Sequence, residues 1–289
     1  MASKADSPKA VVAGEPRRPW ALNTPPPFPA AAMRVISLLH SNDQIGIKTV
    51  VQCIESDPVF AAEVLRVANS ALFGGSQKTG SVQKAILILG LDFVKALAIT
   101  VGMRVYVKSS LQVPVLRSCW THSLATGVLT EDLAGACLVS ASEAYTAGLL
   151  HDIGRIGLMA CYPVEYGNIL SVSAERSFDL LQTERDLFDI DHCQAGAWLA
   201  GTWGLPPDIV LAAMHHHEAP TMHKLSIPNL VALGCRLADC LGFTVVGSSD
   251  PWTFEDVRNC LPEQARNNHL LLDIDALRER VIARIETIA

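Results

Sequence analysis

GLLHDIGR, at residues 148–155, is the segment on which the fold assignment of this chain depends. It reads as an apolar helix that runs into an adjacent His151 and Asp152, and burying either group is costly unless it is bonded or coordinated. An imidazole nitrogen beside a carboxylate oxygen is a reasonable half-site for a divalent transition metal. Gly154 lets the backbone approach such a site closely. The segment therefore predicts a buried polar centre inside a helical core.

Helical patterning extends from this segment in both directions. Ser81 is predicted to cap one helix, Gly90 to end it and Asp92 to start the next. Asp191 is predicted to cap a later helix that ends near Gly204. Strand-like alternation is weak throughout the chain. These signals predict an all-α fold, a multi-helix bundle whose short breaks place successive helices side by side.

Composition shifts along the chain divide it into three parts. Residues 1–28 contain six prolines and are expected to form a flexible leader. Residues 29–243 are expected to form one helical domain, with an N-terminal helical part at 29–110 and a core at 111–243. Residues 244–289 are expected to be a linker and a C-terminal amphipathic helix.

The last helix is predicted from about Asp275 to Ile288. Its apolar stripe is formed by Leu277, Val281 and Ile285 together with Ile288, at the spacing of one helix face. We expect this stripe to pack back on the domain. Binding of a partner or of a second copy through the same stripe is the alternative.

The composition limits the classes of protein to which the chain can belong. Hydrophobic residues make up 49% of the 289 residues, enough for a sizeable core. The net charge is −6 and there is no block of like charges, so nucleic-acid binding is not expected. Eight cysteines occur without a C-x-x-C pair, as is typical of reduced thiols in a cytoplasmic protein.

No export signal or membrane span is expected. The first residues lack an apolar segment of the kind that signal peptides contain. The most apolar stretch, from Ala85 to Val107, is interrupted by Asp92, Lys95 and Arg104, which are costly in hydrocarbon. The sequence therefore predicts a cytoplasmic protein with no membrane contact.

Further histidines and one acidic residue could complete a site with His151 and Asp152. A helix bundle can bring such side chains together in its core from separate helices. The candidate residues are His122, His192, the run His215 to His217, and Asp239 on an otherwise apolar helix.

The order His122, His151-Asp152, Asp239 resembles the H…HD…D signature of the HD superfamily of metal-dependent phosphohydrolases. Over about residues 25–243 the chain resembles, more specifically, the HDOD family. The motifs that carry this resemblance, all in the order of the family, are Ile54 to Pro58, Leu65 to Ser70, Ala85-Ile86, Leu89-Gly90, Trp120 to Ser123, Gly148 to Gly154, Glu184, Asp191-His192, Gly196-Ala197, Trp203 to Pro206 and His216-His217.

The resemblance implies an all-helical fold in which an N-terminal helical part packs on an HD-like core. It also implies one or two divalent transition-metal ions, Fe, Mn or Zn. The ligands would be His122, His151, Asp152 and Asp239, with His192, His216 and His217 as possible ligands of a second ion. Asp152 would be the catalytic residue, and Arg155 is a candidate phosphate contact. The alternative for the whole cluster is a buried polar network satisfied by hydrogen bonds alone.

Two functions follow from the resemblance and stay open at this point. The first is a bacterial signal-transduction regulator that acts by ligand sensing, by contacts with a signalling protein partner, or by both. The second is an active HD-type metal-dependent phosphohydrolase on a phosphomonoester, nucleotide or phosphodiester. A phosphate-containing small molecule is a candidate ligand or substrate of the site. Cyclic-di-GMP hydrolysis is not expected, because His216-His217-Glu218 is not followed by the Gly-Tyr-Pro of the enzymes with that activity.

Overall fold

The computed structural model describes residues 19–23, 30, 33–34, 47–70, 78–108, 110–176, 178–247 and 251–288. The predicted leader at residues 1–28 lies outside these ranges except for a short 3-10 helix at Trp20–Leu22 and the residues flanking it. Within the described ranges every regular element is a helix, which confirms the all-α prediction.

The helices fall into three successive groups along the chain. The N-terminal group comprises α1 (Ile47–Glu55), α2 (Pro58–Ala68), α3 (Val82–Leu89) and α4 (Leu91–Val107). The core group comprises α5 (Pro114–Ala136), α6 (Ala141–Leu150), α7 (Ile153–Cys161), α8 (Pro163–Arg176), α9 (Leu180–Phe188), α10 (His192–Thr202), α11 (Pro207–His215) and α12 (Ile227–Cys240). The C-terminal group comprises α13 (Phe254–Cys260), α14 (Glu263–Arg266) and α15 (Ile274–Ile288), and short 3-10 helices lie at Ser110–Gln112 and His269–Leu271.

The predicted helix ends are confirmed at two sites. The Ser81 hydroxyl accepts a hydrogen bond from the backbone N–H of Lys84, and Gly90 ends α3 with a φ of 85°. Asp191 caps α10 in a reciprocal pair with Gln194, in which each side chain bonds the other's backbone N–H. Because these ends are fixed, His192 is held at the first position of α10.

Glycines bring the core helices close enough to assemble a site. A Cβ at Gly148 of α6 would lie 2.8 Å from the hydroxyl of Thr130 on α5. A Cβ at Gly154 of α7 would overlap the backbone carbonyl of His192 on α10. Only glycine permits these approaches, so the junction between α6 and α7 lies directly against α5 and α10.

The C-terminal helix packs back on the core, as we expected. Leu277, Val281 and Ile288 on α15 are buried. On the same helix, Arg280 makes two hydrogen bonds, of 2.8 and 2.6 Å, to the carboxylate of Asp132 on α5. The stripe is therefore covered by this chain itself rather than left for a partner.

In the part of the chain that the structure describes, no single helix is both long and apolar enough to cross a membrane. The helices α3 and α4 reach that length and composition only as a pair, and they meet at an angle of 113°.

Candidate metal centre

A cluster of imidazole, carboxylate and thiol groups lies where six core helices meet. Its members lie at a helix end or on a helix face, and all of them except His217 and Asp239 are buried. They are His122 on α5, His151 and Asp152 between α6 and α7, His192 at the start of α10, His216 and His217 after α11, and Cys235 and Asp239 on α12.

Backbone carbonyls and one carboxylate fix the ring orientation of four histidines. Nδ1 of His151 lies 2.6 Å from the carbonyl of Gly148, and Nδ1 of His122 lies 2.9 Å from the carbonyl of Phe243. Because a carbonyl can only accept, each Nδ1–H donates and each neutral ring keeps its lone pair on Nε2.

The other two rings follow the same rule. Nδ1 of His216 lies 3.0 Å from the carbonyl of Ala213, and Nδ1 of His192 lies 2.6 Å from Oε2 of Glu184. Histidines that bind metals almost always donate their second N–H to a carbonyl or carboxylate in this way. Each of the four rings therefore carries its lone pair on Nε2.

Asp152 lies among three of these nitrogens. Its Oδ1 is 3.4 Å from Nε2 of His216 and 3.5 Å from Nε2 of His192, and its Oδ2 is 3.7 Å from Nε2 of His151. Oδ1 of Asp152 and the Nε2 atoms of His151 and His216 are buried and have no hydrogen-bond partner. Three such donor atoms within 4.8 Å of one another fit a metal ion.

A second group of donors shares His151 with the first. The thiol sulfur of Cys235 is 3.5 Å from Nε2 of His122, and both are grouped with His151 within 4.8 Å. Asp239 approaches His122 from the opposite side, with Oδ1 3.6 Å from Nδ1, and its side chain is 42% exposed. The structure thus brings together His122, His151 and Asp152 as expected but places Asp239 at their edge. Its ligand role stays a prediction.

The remaining predicted residues lie close to Asp152. Nε2 of His217 is 3.0 Å from Nε2 of His192, and because the latter carries a lone pair, His217 donates this hydrogen bond. Arg155 is buried, and its Nε donates to Oδ2 of Asp152 at 2.8 Å. Its guanidinium is therefore engaged by a carboxylate, and the predicted phosphate contact stays a prediction.

Glu184 is a buried acid that supports the site through its contacts with His192 and Arg155. It accepts hydrogen bonds from the Tyr166 hydroxyl at 2.5 Å and from the backbone N–H of His192 at 2.8 Å. Its Oε1 is also 3.9 Å from Nη1 of Arg155. In the sequence, Glu184 stands out only as part of the family motif. An acid three residues after an apolar pair, on a helix with a polar outer face, gave no signal of this role.

Charges around the cluster keep its donors available near neutral pH. Burial alone would raise the pKa of Asp152, but the guanidinium of Arg155 holds that pKa well below its usual range. Burial lowers the pKa of His151 well below its usual value, and it also lowers that of His192. A carboxylate and neutral imidazoles are the protonation states that bind metal ions.

A cavity of about 730 Å³ opens above the cluster. Arg155, His192, His217 and Cys235 contribute to its lining, so the cavity reaches both donor groups. The C-terminal part of the chain contributes Thr244, Val246 and Trp252. A small ligand in this cavity would touch the cluster and the segment after α12 at the same time.

Arg236 on α12 connects these two sides of the cavity. Its guanidinium donates to the backbone carbonyls of His216 at 2.9 Å, His217 at 3.0 Å and Glu218 at 2.6 Å. It also lies over the ring of Trp252, 4.8 Å from the centroid. Nothing in the sequence pattern distinguished Arg236 from other arginines on helix faces, because its partners are backbone atoms.

The fold and the cluster agree with the family that the sequence matches. The HDOD domain family matches residues 26–219, and the chain therefore belongs to the HDOD family. The matched segment ends before α12, so it includes neither Cys235 nor Asp239.

Several known proteins are similar to this chain, among them one curated relative and two crystal structures. An uncharacterized protein of Treponema pallidum (strain Nichols) is 25% identical over 197 residues, which are 68% of this chain and 38% of that protein. A crystal structure from Marinobacter aquaeolei VT8, provisionally described as a signal transduction protein, has a TM-score of 0.73 at 23% identity. The similarity covers 91% of this chain and 60% of that one.

The third similar protein is a crystal structure from Shewanella amazonensis SB2B, provisionally described as a phosphohydrolase. It has a TM-score of 0.63 at 22% identity, covering 93% of this chain and 96% of that one. Both structures support the all-helical fold. The chain spans well under half of the Treponema relative and 60% of the Marinobacter structure.

Proposed function

We propose that this HDOD protein is a bacterial signalling regulator that senses a phosphate-containing small molecule at a divalent-metal centre. The observation that carries the proposal is the set of three buried donor atoms without hydrogen-bond partners: Nε2 of His151, Oδ1 of Asp152 and Nε2 of His216. Buried polar atoms in proteins are normally satisfied, and one divalent cation would satisfy all three.

The residues that would hold the ion are His151, Asp152 and His216, with His192 and His217 next to them. Imidazole and carboxylate ligands suit Fe, Mn or Zn. A bound ion would supply positive charge for a phosphate oxygen. The protein's part is to fix the ligands, through the carbonyls and the Glu184 carboxylate that receive each Nδ1–H.

The charge of the site explains why an ion would be required for phosphate binding. Arg155 is the one positive group among the buried residues around Asp152, and Asp152 and Glu184 are both negative. With neutral imidazoles, the metal-free site has one net negative charge and repels an anion. A divalent ion reverses that sign, so we expect phosphate to bind only when the metal is present.

The contacts of Arg236 supply a physical route for a signal. The loop that holds His216 and His217 is tied through Arg236 to Trp252, which belongs to the segment leading into the C-terminal helices. A ligand that moves this loop would also move Trp252. We propose that a protein partner in the cytoplasm binds the C-terminal segment and receives the signal. The Marinobacter protein's description as a signal transduction protein supports it.

Calorimetry can test the proposal. Protein purified without chelators is divided into a metal-loaded and a chelator-treated sample, and each is titrated with inorganic phosphate and with a nucleoside monophosphate. We expect binding only in the metal-loaded sample. Asp152→Asn should bind neither metal nor phosphate, whereas Asp208→Asn, at an exposed position on α11, should behave as the wild type. Phosphate binding of equal strength without metal would contradict the proposal.

The same donor atoms favour a second candidate function, a metal-dependent phosphohydrolase acting on a phosphomonoester, nucleotide or phosphodiester. The description of the Shewanella protein as a phosphohydrolase supports it. Hydrolysis of p-nitrophenyl phosphate and of bis-p-nitrophenyl phosphate tests it directly. Metal-dependent turnover that is lost in Asp152→Asn would favour the enzyme. Metal and phosphate binding without turnover would favour the sensor.

A further inference from the structure

We propose that the N-terminal turn, residues 19–23, is an internal peptide ligand of the core, and that its docking holds the metal centre in shape. The turn contains the 3-10 helix Trp20–Leu22. It precedes residues 26–219, which match the HDOD family, so the family motifs do not describe it. Its effect on the centre rests on the proposed function, whereas the docking of the turn is independent of that function.

The apolar half of the turn packs where two core helices meet. Leu22 is fully buried. A methyl group at Gly157 of α7 would lie 3.4 Å from Cδ2 of Leu22 and 2.5 Å from Cδ1 of Leu199 on α10. The two leucine side chains therefore meet α7 at the same glycine. Since α7 is the helix that follows Asp152, Leu22 is packed against an element that positions the centre.

The other half of the turn is held through Trp20. Its indole Nε1–H donates to Oδ2 of Asp189 at 2.9 Å, and its ring centroid lies 6.3 Å from that of Tyr162 and 6.2 Å from that of Phe188. Asp189 ends α9 with a φ of 57°, a region that glycine adopts far more readily than other residues. Trp20 is thus recognised by its polar edge and by its ring, as a tryptophan that anchors a bound peptide is.

Side chains connect the groove that holds Trp20 to the metal centre. The ring centroid of Phe188 lies 6.4 Å from that of Tyr166, whose hydroxyl donates to Glu184. Glu184 in turn accepts the Nδ1–H of His192 at 2.6 Å. Phe188 and Glu184 belong to the same helix, α9. A shift of Phe188 in the absence of the turn would therefore also shift the carboxylate that fixes the His192 ring.

The size of the effect follows from the distance of the turn from the ion. Loss of an outer hydrogen-bond partner costs a metal site about 10–100-fold in affinity. Trp20 and Leu22 act through such a partner rather than being one, so they are positioning residues, and we expect a loss of about tenfold. Because coupling between two binding events is reciprocal, zinc should strengthen the docking of the turn by the same factor.

The full chain carrying both Trp20→Ala and Leu22→Ala tests the proposal. We expect zinc affinity to fall about tenfold. In the presence of a chelator, we expect faster hydrogen exchange at residues 184–194. A synthetic peptide of residues 17–25, added at millimolar concentration, should reverse both changes, whereas the same peptide with Trp20→Ala should reverse neither. Asn23→Ala, at an exposed position of the same turn, is the matched control and should behave as the wild type.

A second control separates positioning from a general loss of stability. Thr100→Val lies on α4, away from the groove, and lowers stability without touching the turn. It should keep wild-type zinc affinity. A measurement on the unaltered protein covers the case in which the double variant does not fold. Saturating zinc should slow exchange of the backbone amides of Leu22 and Asn23 by about tenfold, because both amides are bonded within the docked turn.

The outcomes distinguish this inference from the proposed function. Wild-type protein that binds no zinc overturns the metal centre, and the docking is then judged by hydrogen exchange and by the peptide alone. A double variant with unchanged zinc affinity and unchanged exchange overturns the role of the turn and leaves the metal centre standing. An equal loss of affinity in Thr100→Val, or a wild-type peptide that restores nothing, also overturns that role.

Discussion

The N-terminal helices α1 to α4 and the core helices bury different kinds of side chain. Among the residues described in α1 to α4, Thr100 is the only buried side chain that is neither apolar nor aromatic. The core buries His151, Asp152, Arg155 and Glu184. Apolar packing is satisfied by many side chains of suitable volume, whereas a buried charge requires a specific partner. The N-terminal part is therefore tolerant of substitution, and the core is specific and suited to chemistry.

The largest expected effect comes from removing the positive charge of the core. Arg155→Ala leaves Asp152 and Glu184 buried without their cation, and we expect a loss of about 3–5 kcal/mol in the free energy of unfolding. Urea denaturation in the presence of a chelator measures it, so that no metal replaces the lost charge.

The matched variant in the N-terminal part is Arg66→Ala. Arg66 pairs with Glu63 at 2.6 Å, but its side chain is 44% exposed. We expect a loss of no more than about 1 kcal/mol, as for other surface ion pairs. Equal losses in the two variants would remove the distinction between the two regions.

Two glycines give the next effect in size. Gly154→Ala places a methyl group on the carbonyl of His192, so α7 and α10 must separate, and we expect a loss of about 3 kcal/mol or more. Gly80→Ala, in the N-terminal part, meets no atom within 4 Å and should change stability by less than about 0.5 kcal/mol. Thermal unfolding of both variants is the measurement. A stable Gly154→Ala protein would show that the close helix contact is wrong.

Metal addition should stabilise the core helices and leave the N-terminal helices unchanged. A hundredfold excess of zinc over its Kd would stabilise the folded protein by about 2.7 kcal/mol. In hydrogen exchange followed by mass spectrometry, we expect slower exchange at residues 148–155 and 212–218, with residues 47–55 unchanged. Asp152→Asn should abolish the gain. Equal slowing in both regions would indicate a single cooperative unit instead.

The last predicted effect concerns a polar contact between the two regions. The Tyr145 hydroxyl on α6 lies 2.8 Å from Oγ1 of Thr100 on α4, and Thr100 itself donates to the carbonyl of Ala96. Thr100→Val leaves the tyrosine hydroxyl buried without a partner, at a cost of about 1–2 kcal/mol. Tyr145→Phe combined with Thr100→Val should lose less than the sum of the single losses. Full additivity in urea denaturation would show that the contact does not contribute.

Local signals in the sequence predicted the helices and several of their ends. Ser81, Gly90 and Asp191 lie where we expected, because a cap depends only on the few residues around it. The start of α4 at Leu91 differs by one residue from the predicted Asp92. The domain boundaries at residues 28, 110 and 243 stay predictions.

The sequence could predict which residues form the candidate site but not how they are arranged. The order of residue types along the chain identified His122, His151, Asp152 and the later histidines, because the family motif is defined by residue types in a fixed order. It could not show that Asp152 lies among the Nε2 atoms of three histidines, or that Arg155 is held by its carboxylate. Distances of this kind depend on how α5, α7, α10 and α12 pack, which no local pattern encodes.

The sequence by itself determined that this chain is helical, that it belongs with HDOD proteins and that polar groups gather around GLLHDIGR. Caps, helix periodicity and motif order are local properties, and each is readable one segment at a time. Only the tertiary structure decided which side of each histidine faces the centre, because carbonyls such as those of Gly148 and Phe243 fix the rings. It also decided that Cys235 faces the ring nitrogen that carries the lone pair, while Asp239, one turn further along, lies at the edge.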